Sequence, residues 1–237
     1  MPMYEIRRIN PRTEPRLVDE FQTKQRRCYE RYEVQNAVNQ VAIPRKAILD
    51  GTVHFIVAVA PSGELVGGTR IHVRRPDSPL PMERALLHDD RLRAALDRLQ
   101  PQGVAEYAGL WALPSVRGVG LSGVLSCLAV AITPSLGVKH GCGFTHHHLL
   151  FWTPLGFRLD EKLGFFAYPD ERYQSYVLWV DPKDLRGADP AYIKVVHDMR
   201  TAQGRRILWS PQNESITQQI HIEDAVALSA VALPGQP

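Results

Sequence analysis

Between Glu106 and Asp160 the chain has no aspartate or glutamate, while the same interval carries Arg117, Lys139, Arg158 and four histidines. That absence removes carboxylate ligands for a metal from the middle of the chain, and the surplus of cations suits a ligand with several phosphates. Cysteine is scarce. Cys28, Cys127 and Cys142 have no framework spacing, which excludes a disulfide scaffold and reads as reduced thiols in a cytoplasmic protein. No run reaches transmembrane length and MPMYEIRRIN has no apolar leader region, so neither membrane insertion nor export is expected. A formal charge of +3, with no dense Lys/Arg run interleaved with aromatics, gives no reason to expect nucleic acid. Internal repeats and low-complexity tracts are missing as well. What remains is a chain of 237 residues, 44% hydrophobic and 22% charged, able to bury a sizeable core.

The most informative stretch runs from Ala105 to Leu136. Tyr107–Leu113 has the length and aromatic content of a strand, and Pro114-Ser115 turns it. Arg117-Gly118-Val119-Gly120-Leu121-Ser122-Gly123 then opens a segment in which Leu121, Val124, Leu125, Leu128, Ala129 and Ile132 cover more than half of a helix surface. Such a helix is expected to be buried, and Thr133-Pro134 stops it. A strand running through glycines into a helix is a phosphate-binding design, because first-turn amides lack intrahelical partners and the glycines admit an anion closely. Gly118-x-Gly120-x-x-Gly123 fits the dinucleotide fingerprint literally. The acidic ribose ligand expected about 20 residues on is absent, and the loop lies mid-chain behind a hairpin, both of which count against that reading.

Arg117-Gly118-Val119-Gly120-Leu121-Ser122 resembles the Arg/Gln-x-x-Gly-x-Gly/Ala loop of the GNAT superfamily of N-acyltransferases, with Ser122 where that family prefers Gly or Ala. Leu155-Gly156-Phe157 is similar to the Gly-Phe signature that closes the family core. The resemblance spans roughly Val53 to Val180. It implies an α/β (α+β) fold with a mixed, mostly antiparallel central sheet flanked by helices and splayed at the central strand. It also implies that Leu113 and Arg117–Ser122 (Arg117, Gly118, Val119, Gly120, Leu121 and Ser122) hold acyl-CoA, acetyl or longer, or the phosphopantetheine of an acyl-carrier protein. A second layer lies in Gly67-Gly68-Thr69-Arg70-Ile71, Pro79-Leu80-Pro81-Met82-Glu83 and Glu106, which look like the autoinducer-synthase and N-acyl amino acid synthase branch. That branch commonly shows Glu-x-Ser-Arg on the central strand, whereas this chain has Glu106-Tyr107-Ala108-Gly109, a departure that counts against a homoserine-lactone product.

Along the chain, Met3–Ile9 reads as a strand and residues 16–34 as an amphipathic helix, with Leu17, Phe21, Cys28 and Tyr32 inward. Lys24, Arg26, Arg27 and Arg31 make its other face basic, either a solvated surface or a dock for acyl-carrier protein. After a loop with a short helical piece, Val53–Val59 and Glu64–Val73 form a hairpin, whose Gly67-Gly68 marks a bulge or a close backbone approach. Met82–Leu99 reads as one helix with Leu86, Leu87, Leu92, Leu96 and Leu99 inward. Val138–Thr145 is a strand, His147–Leu155 a short helical segment, and Phe157–Tyr168 and Arg172–Asp181 are closing strands. Residues 1–181 form the GNAT-like domain. Residues 182–237 are an extension with a helix at Pro190–Gln203, a strand at Ile207–Trp209 and an apolar end, open between packed extension, homodimer element and tail.

Acyl transfer to a small-molecule amine needs a base, a polarised thioester carbonyl and a proton for the leaving thiolate. Glu106, at the start of the central strand, is the first candidate base if burial raises its pKa, and His146 in the histidine cluster is the alternative. A backbone N–H freed at Trp111–Leu113 would hold the carbonyl oxygen. The position that carries the family's acid tyrosine, four residues before Gly156, is Trp152 here, which leaves Tyr107, Tyr168 and Tyr173 as candidates. Arg70 is either a grip for an acceptor carboxylate or a solvent-facing hairpin arginine. His140, Cys142, His146 and His148 alternate along one strand face, but their spacing matches no standard zinc site, so no metal is expected. A non-catalytic acyl-ligand-binding module is the reading from another class.

Overall fold

Val53–Val59 (β2) and Leu65–Val73 (β3) are β-branched-rich runs separated by a Pro-Ser-Gly turn, and they pair as an antiparallel hairpin. They sit inside a ten-stranded sheet in a computed structural model that describes residues 4–31, 42–86, 89–146, 149–201, 206–209 and 218–222. The other strands are Tyr4–Ile9 (β1), Val104–Ala112 (β4), His140–Thr145 (β5), Arg158–Leu159 (β6), Phe165–Ala167 (β7), Gln174–Val180 (β8), Arg206–Trp209 (β9) and Gln218–Ile222 (β10). Their order is β6-β8-β5-β4-β3-β2-β1-β10-β9, with β7 also on β8. The β4–β5 and β1–β10 pairs are parallel and all others antiparallel.

Helices cover both faces. Leu121–Ile132 (α5) packs on one face together with Pro190–Thr201 (α7), through Val124, Leu128, Val196 and Met199 against Ile56, Ile71 and Ala105. Every residue of α5 except Ser122 is buried, as its uniformly apolar sequence requires. The opposite face is covered by Pro15–Glu30 (α1), Arg45–Leu49 (α2), Pro81–Ala85 (α3) and Asp90–Leu99 (α4). The short Leu149–Trp152 (α6) precedes Gly156.

Several expected elements change form. The single helix over Met82–Leu99 is two, because Asp89 takes an extended backbone and its carboxylate accepts from the Leu92 N–H, starting a new helix. Of the leucines expected inward, Leu92 and Leu96 are buried, Leu86 and Leu99 half-buried, and Leu87 lies outside the described residues. Phe157–Tyr168 is interrupted where Asp160 accepts from the Lys162 and Leu163 amides and Gly164 turns at φ 66°, leaving β6 and β7 as short pieces on one edge of β8. The inward stripe of α1 is Val18, Phe21, Gln25 and Cys28; Leu17 is half-buried and Tyr32 lies outside the described residues. Strand β10 went unread in the sequence.

The Gly67-Gly68 expectation resolves into both alternatives. The β2–β3 register shifts between Ala58 and Val59, the β3–β4 register shifts between Gly68 and Arg70, and a Cβ on Gly68 would lie 2.4 Å from the Phe21 ring and 2.8 Å from the Ile56 carbonyl. Gly68→Ala is therefore expected to cost about 3 kcal/mol, read as a lowered urea midpoint at unchanged m-value.

Candidate active site

Parallel pairing of β4 with β5 covers only Val104–Tyr107 against His140–Gly143. Beyond Gly143, β5 goes on pairing with β8, and beyond Tyr107, β4 goes on pairing with β3, so the two strands part. The β3–β4 register gains one residue on β4 between Ala108 and Trp111, and Gly109 there has φ 67°. This bulge bends β4 away and marks the apex of the splay.

The sides of the opened strand can be assigned by alternation. The Leu113 N–H donates to the Val66 carbonyl at 2.8 Å, toward β3, so the amides of Ala112 and Leu110 face the opening. The expected window of Trp111–Leu113 thus narrows: Leu113 is engaged through its N–H, and its carbonyl accepts from Val116. Trp111 is 3% exposed and packs edge-on against Phe21, so its ring belongs to the core under α1. Helix α1 also reaches the open edge, where Tyr29 Oη donates to the Leu110 carbonyl at 3.3 Å and Cys28 Sγ lies 3.8 Å from that of Ala112.

At the mouth, a short turn over Pro114–Val116 leads into Gly118 (φ 82°) and Gly120 (φ 73°), the latter capping α5 in the left-handed conformation. Nothing lies within 4 Å of a Cβ built on Gly118, and Arg117 beside it is exposed. Among the described residues the amides of Gly118, Gly120, Leu121 and Ser122 meet no acceptor, whereas those of Gly123 and Val124 bond to Gly120. Val119 donates to Val116 at 3.4 Å, which removes its amide from the open set, and the Leu121 side chain is buried.

Inside the sheet, one face of β3 and β4 carries polar groups where a core would be apolar. Arg70 and Glu106 are each 3% exposed and His72 is 4% exposed. The solvent-facing alternative for Arg70 is excluded. His72 pairs across from Glu106 in register, and Arg70 from Ala108, so Arg70 and Glu106 are diagonal neighbours on one face. Glu106 Oε2 accepts from the Met82 N–H at 2.8 Å. Burial raises the Glu106 carboxyl to about 8, although that hydrogen bond and the charges of Arg84 and Arg70 pull the other way. Burial lowers Arg70 to about 10 and holds His72 well below the usual imidazole range. Tyr168, half-buried and packed on Phe144 at 5.2 Å, is raised to about 12 by burial and lies within electrostatic reach of Glu106 and Tyr29.

The structure thus gathers Glu106, Arg70 and Tyr168, with Arg84 and Tyr29, into one cluster. The other candidates sit apart from it. Tyr173 packs edge-on to His146 at 4.7 Å, with Arg172 over its ring, beyond the end of β5. Tyr107 is buried on the α5 face, its ring where a Gly141 side chain would be, and Trp152 packs on Phe157. Strand β5 ends at Thr145, so the four-residue face of His140, Cys142, His146 and His148 does not form as one strand; His148 lies outside the described residues. No group of three metal-ligating side chains occurs among the described residues. A cavity of about 350 Å³ near Arg98, His140, Arg158 and Asp181 contains none of the clustered groups. No described helix is long and apolar enough to cross a membrane.

Sequence reasoning missed Gln25, His72 and Arg84. For Gln25 the signal was present, a polar residue at helical spacing within the apolar stripe Val18-Phe21-Cys28.

Neither a family model nor a curated relative matches the sequence. Solved structures do. FeeM, an N-acyl amino acid synthase from uncultured soil microbes, aligns with a TM-score of 0.58 at 14% identity, over 82% of this chain and 99% of its own. BjaI, a CoA-dependent acyl-homoserine lactone synthase solved with SAM and isopentyl-CoA, aligns with a TM-score of 0.54 at 16% identity, over 98% of this chain and all of its own (100%). The chain has a GNAT-like fold. Within that fold β4 is the central strand that parts from β5, and α5 is the helix that follows the glycine loop. At these identities the likeness is one of fold.

Proposed function

We propose that the chain is an N-acyltransferase that moves an acyl group from a CoA or acyl-carrier-protein thioester to the amine of a small molecule. The observation that carries the reading is the parting of β4 and β5 after Tyr107 and Gly143, beside the open amides of Gly118, Gly120, Leu121 and Ser122 and above a buried carboxyl, Glu106. The glycine-loop amides and Arg117 hold the donor's pyrophosphate or phosphate, and its pantetheine arm enters the splay as an extra strand. Ala112, whose N–H faces the opening, then holds the thioester carbonyl oxygen.

The acceptor nitrogen attacks the carbonyl carbon; the C–N bond forms, the C–S bond breaks, Glu106 receives the amine proton, and Tyr168 supplies a proton to the thiolate. With its carboxyl near 8, Glu106 is basic enough to take that proton once ionised. His146 and Tyr173, paired beyond the end of β5, would line the acceptor's approach. Tyr168→Phe is expected to lower kcat about 10²-fold with little change in either KM, as measured by steady-state thiol release.

A buried cation diagonal to the base favours a finer reading. Arg70 would hold an acceptor carboxylate while Glu106 serves the neighbouring amine, as an amino acid acceptor requires. Exposed Arg26 and Arg27 on α1 and Arg31 at its C-cap support a carrier-protein donor, whereas Lys24 is tied to Glu20, Glu64 and the Leu65 carbonyl. Residues 1–181 hold the whole proposed site. The extension, 182–237, contributes α7 against α5 and strands β9 and β10 beyond β1. The test is release of free thiol from acyl-CoA and acyl-carrier protein across a panel of amines. Amine-dependent release supports the reading, and binding of either donor without release would favour the non-catalytic module.

A further inference from the structure

We infer that Gln25 is a specificity-determining residue that reads an uncharged hydrogen-bonding group, a hydroxyl or a carboxamide, on the acceptor. The inference rests on the acyltransferase reading and deepens it. Gln25 projects from α1 onto the bulge of β4, and a Cβ on Gly109 would meet Gln25 Nε2 at 2.4 Å and Arg70 Nε and Nη2 at 2.7 and 2.9 Å. The two head groups therefore meet at one spot, filling the space that a side chain at position 109 would take.

Gln25 is fully buried (0% exposed), and neither its Nε2 nor its Oε1 has a hydrogen-bond partner among the described residues. A buried amide with its donor and acceptor both unused is complementary to a group that both accepts and donates. Charge narrows the choice further. An ammonium would sit against Arg70 with Arg84 nearby, and a second carboxylate would face Oε1, an acceptor that it cannot satisfy. A hydroxyl or carboxamide meets both demands. The neighbouring Ala108, Gly109 and Leu110 are only half-buried, so the spot adjoins the opening between β4 and β5. A site with an unfilled polar group discriminates strongly against an isosteric acceptor that leaves it empty.

The experiment measures kcat/KM for thiol release from acyl-CoA with isosteric acceptor pairs: threonine against valine, asparagine against leucine, and ethanolamine against propylamine. The wild-type protein is expected to prefer the polar member of at least one pair by roughly 10-fold or more. Gln25→Leu should bring that ratio to about one, leave the apolar member within about threefold, and leave the donor KM unchanged. Gln25→Met, unbranched and closer in shape, serves the same purpose if the leucine variant folds poorly; both should melt at or above the wild-type temperature, since an unpaired buried amide is removed. Equal wild-type rates within every pair would overturn the inference and leave acyl transfer standing, as would a variant that slows both members equally. No release with any acceptor, from acyl-CoA or from acyl-carrier protein, would overturn acyl transfer and this inference together.

Discussion

Glu106→Gln is expected to lower kcat/KM by about 10²–10⁴ and to abolish an ascending limb centred near pH 8 in the wild-type rate profile. The limb follows from the carboxyl's surroundings. Burial on the face toward α3 raises it, and the Met82 N–H, Arg84 and Arg70 restrain that rise without cancelling it, while Glu83 adds to it. Below pH 8 the group is mostly protonated and cannot accept the amine's proton; above pH 8 it can.

The same shift makes a stability prediction of defined sign. The folded carboxyl titrates near 8 and the unfolded one near its ordinary 4.5, so between those values the native state binds more protons. The stabilisation is fully present below about 4.5 and is lost as pH rises through 8, by an amount on the order of 3–5 kcal/mol. Glu106→Gln keeps an oxygen to accept the Met82 N–H but cannot ionise. Its melting temperature should therefore vary less from pH 5 to 9 than the wild type's and exceed it at pH 9. A variant with reduced activity and an unchanged pH slope of the melting temperature would separate Glu106 from the titration.

Gly120→Val carries the second large effect, on the donor side. Gly120 holds φ 73° at the cap of α5, a conformation that a β-branched residue adopts only with strain of roughly 1–3 kcal/mol. Relief of that strain would turn the amides of Leu121 and Ser122 away from the opening. The donor KM should rise about 10²-fold while the acceptor KM moves little, measured with acyl-CoA varied at saturating amine. A uniform loss in both KM values would mean global destabilisation.

The hairpin β2–β3 and helix α5 were readable because local and tertiary demands agree there. A β-branched run closed by a Pro-Ser-Gly turn has one good solution, and a helix apolar all round must be buried. The break at Asp89 was harder, since a capping aspartate inside a periodic leucine pattern looks like one more surface charge until its backbone turns extended. Strand β10 was hidden because Gln218–Ile222 owes its place to parallel pairing with β1, some two hundred residues away in sequence. At the site, Glu106 and the glycine loop carried motif-level signals, and Tyr168 was one of three tyrosines that sequence could not rank. Its proximity to Glu106 depends on how β8 and the loop before it fold back over β5. Which amide faces the opening was illegible, because it depends on a register gain of one residue at Gly109.

Amide-resolved hydrogen exchange with and without CoA tests the donor site most directly. The account predicts slowed exchange at Gly118, Gly120, Leu121, Ser122 and Ala112, with little change at the β6–β8 edge near Arg158. Protection confined to that edge, or no protection at the start of α5, would contradict it.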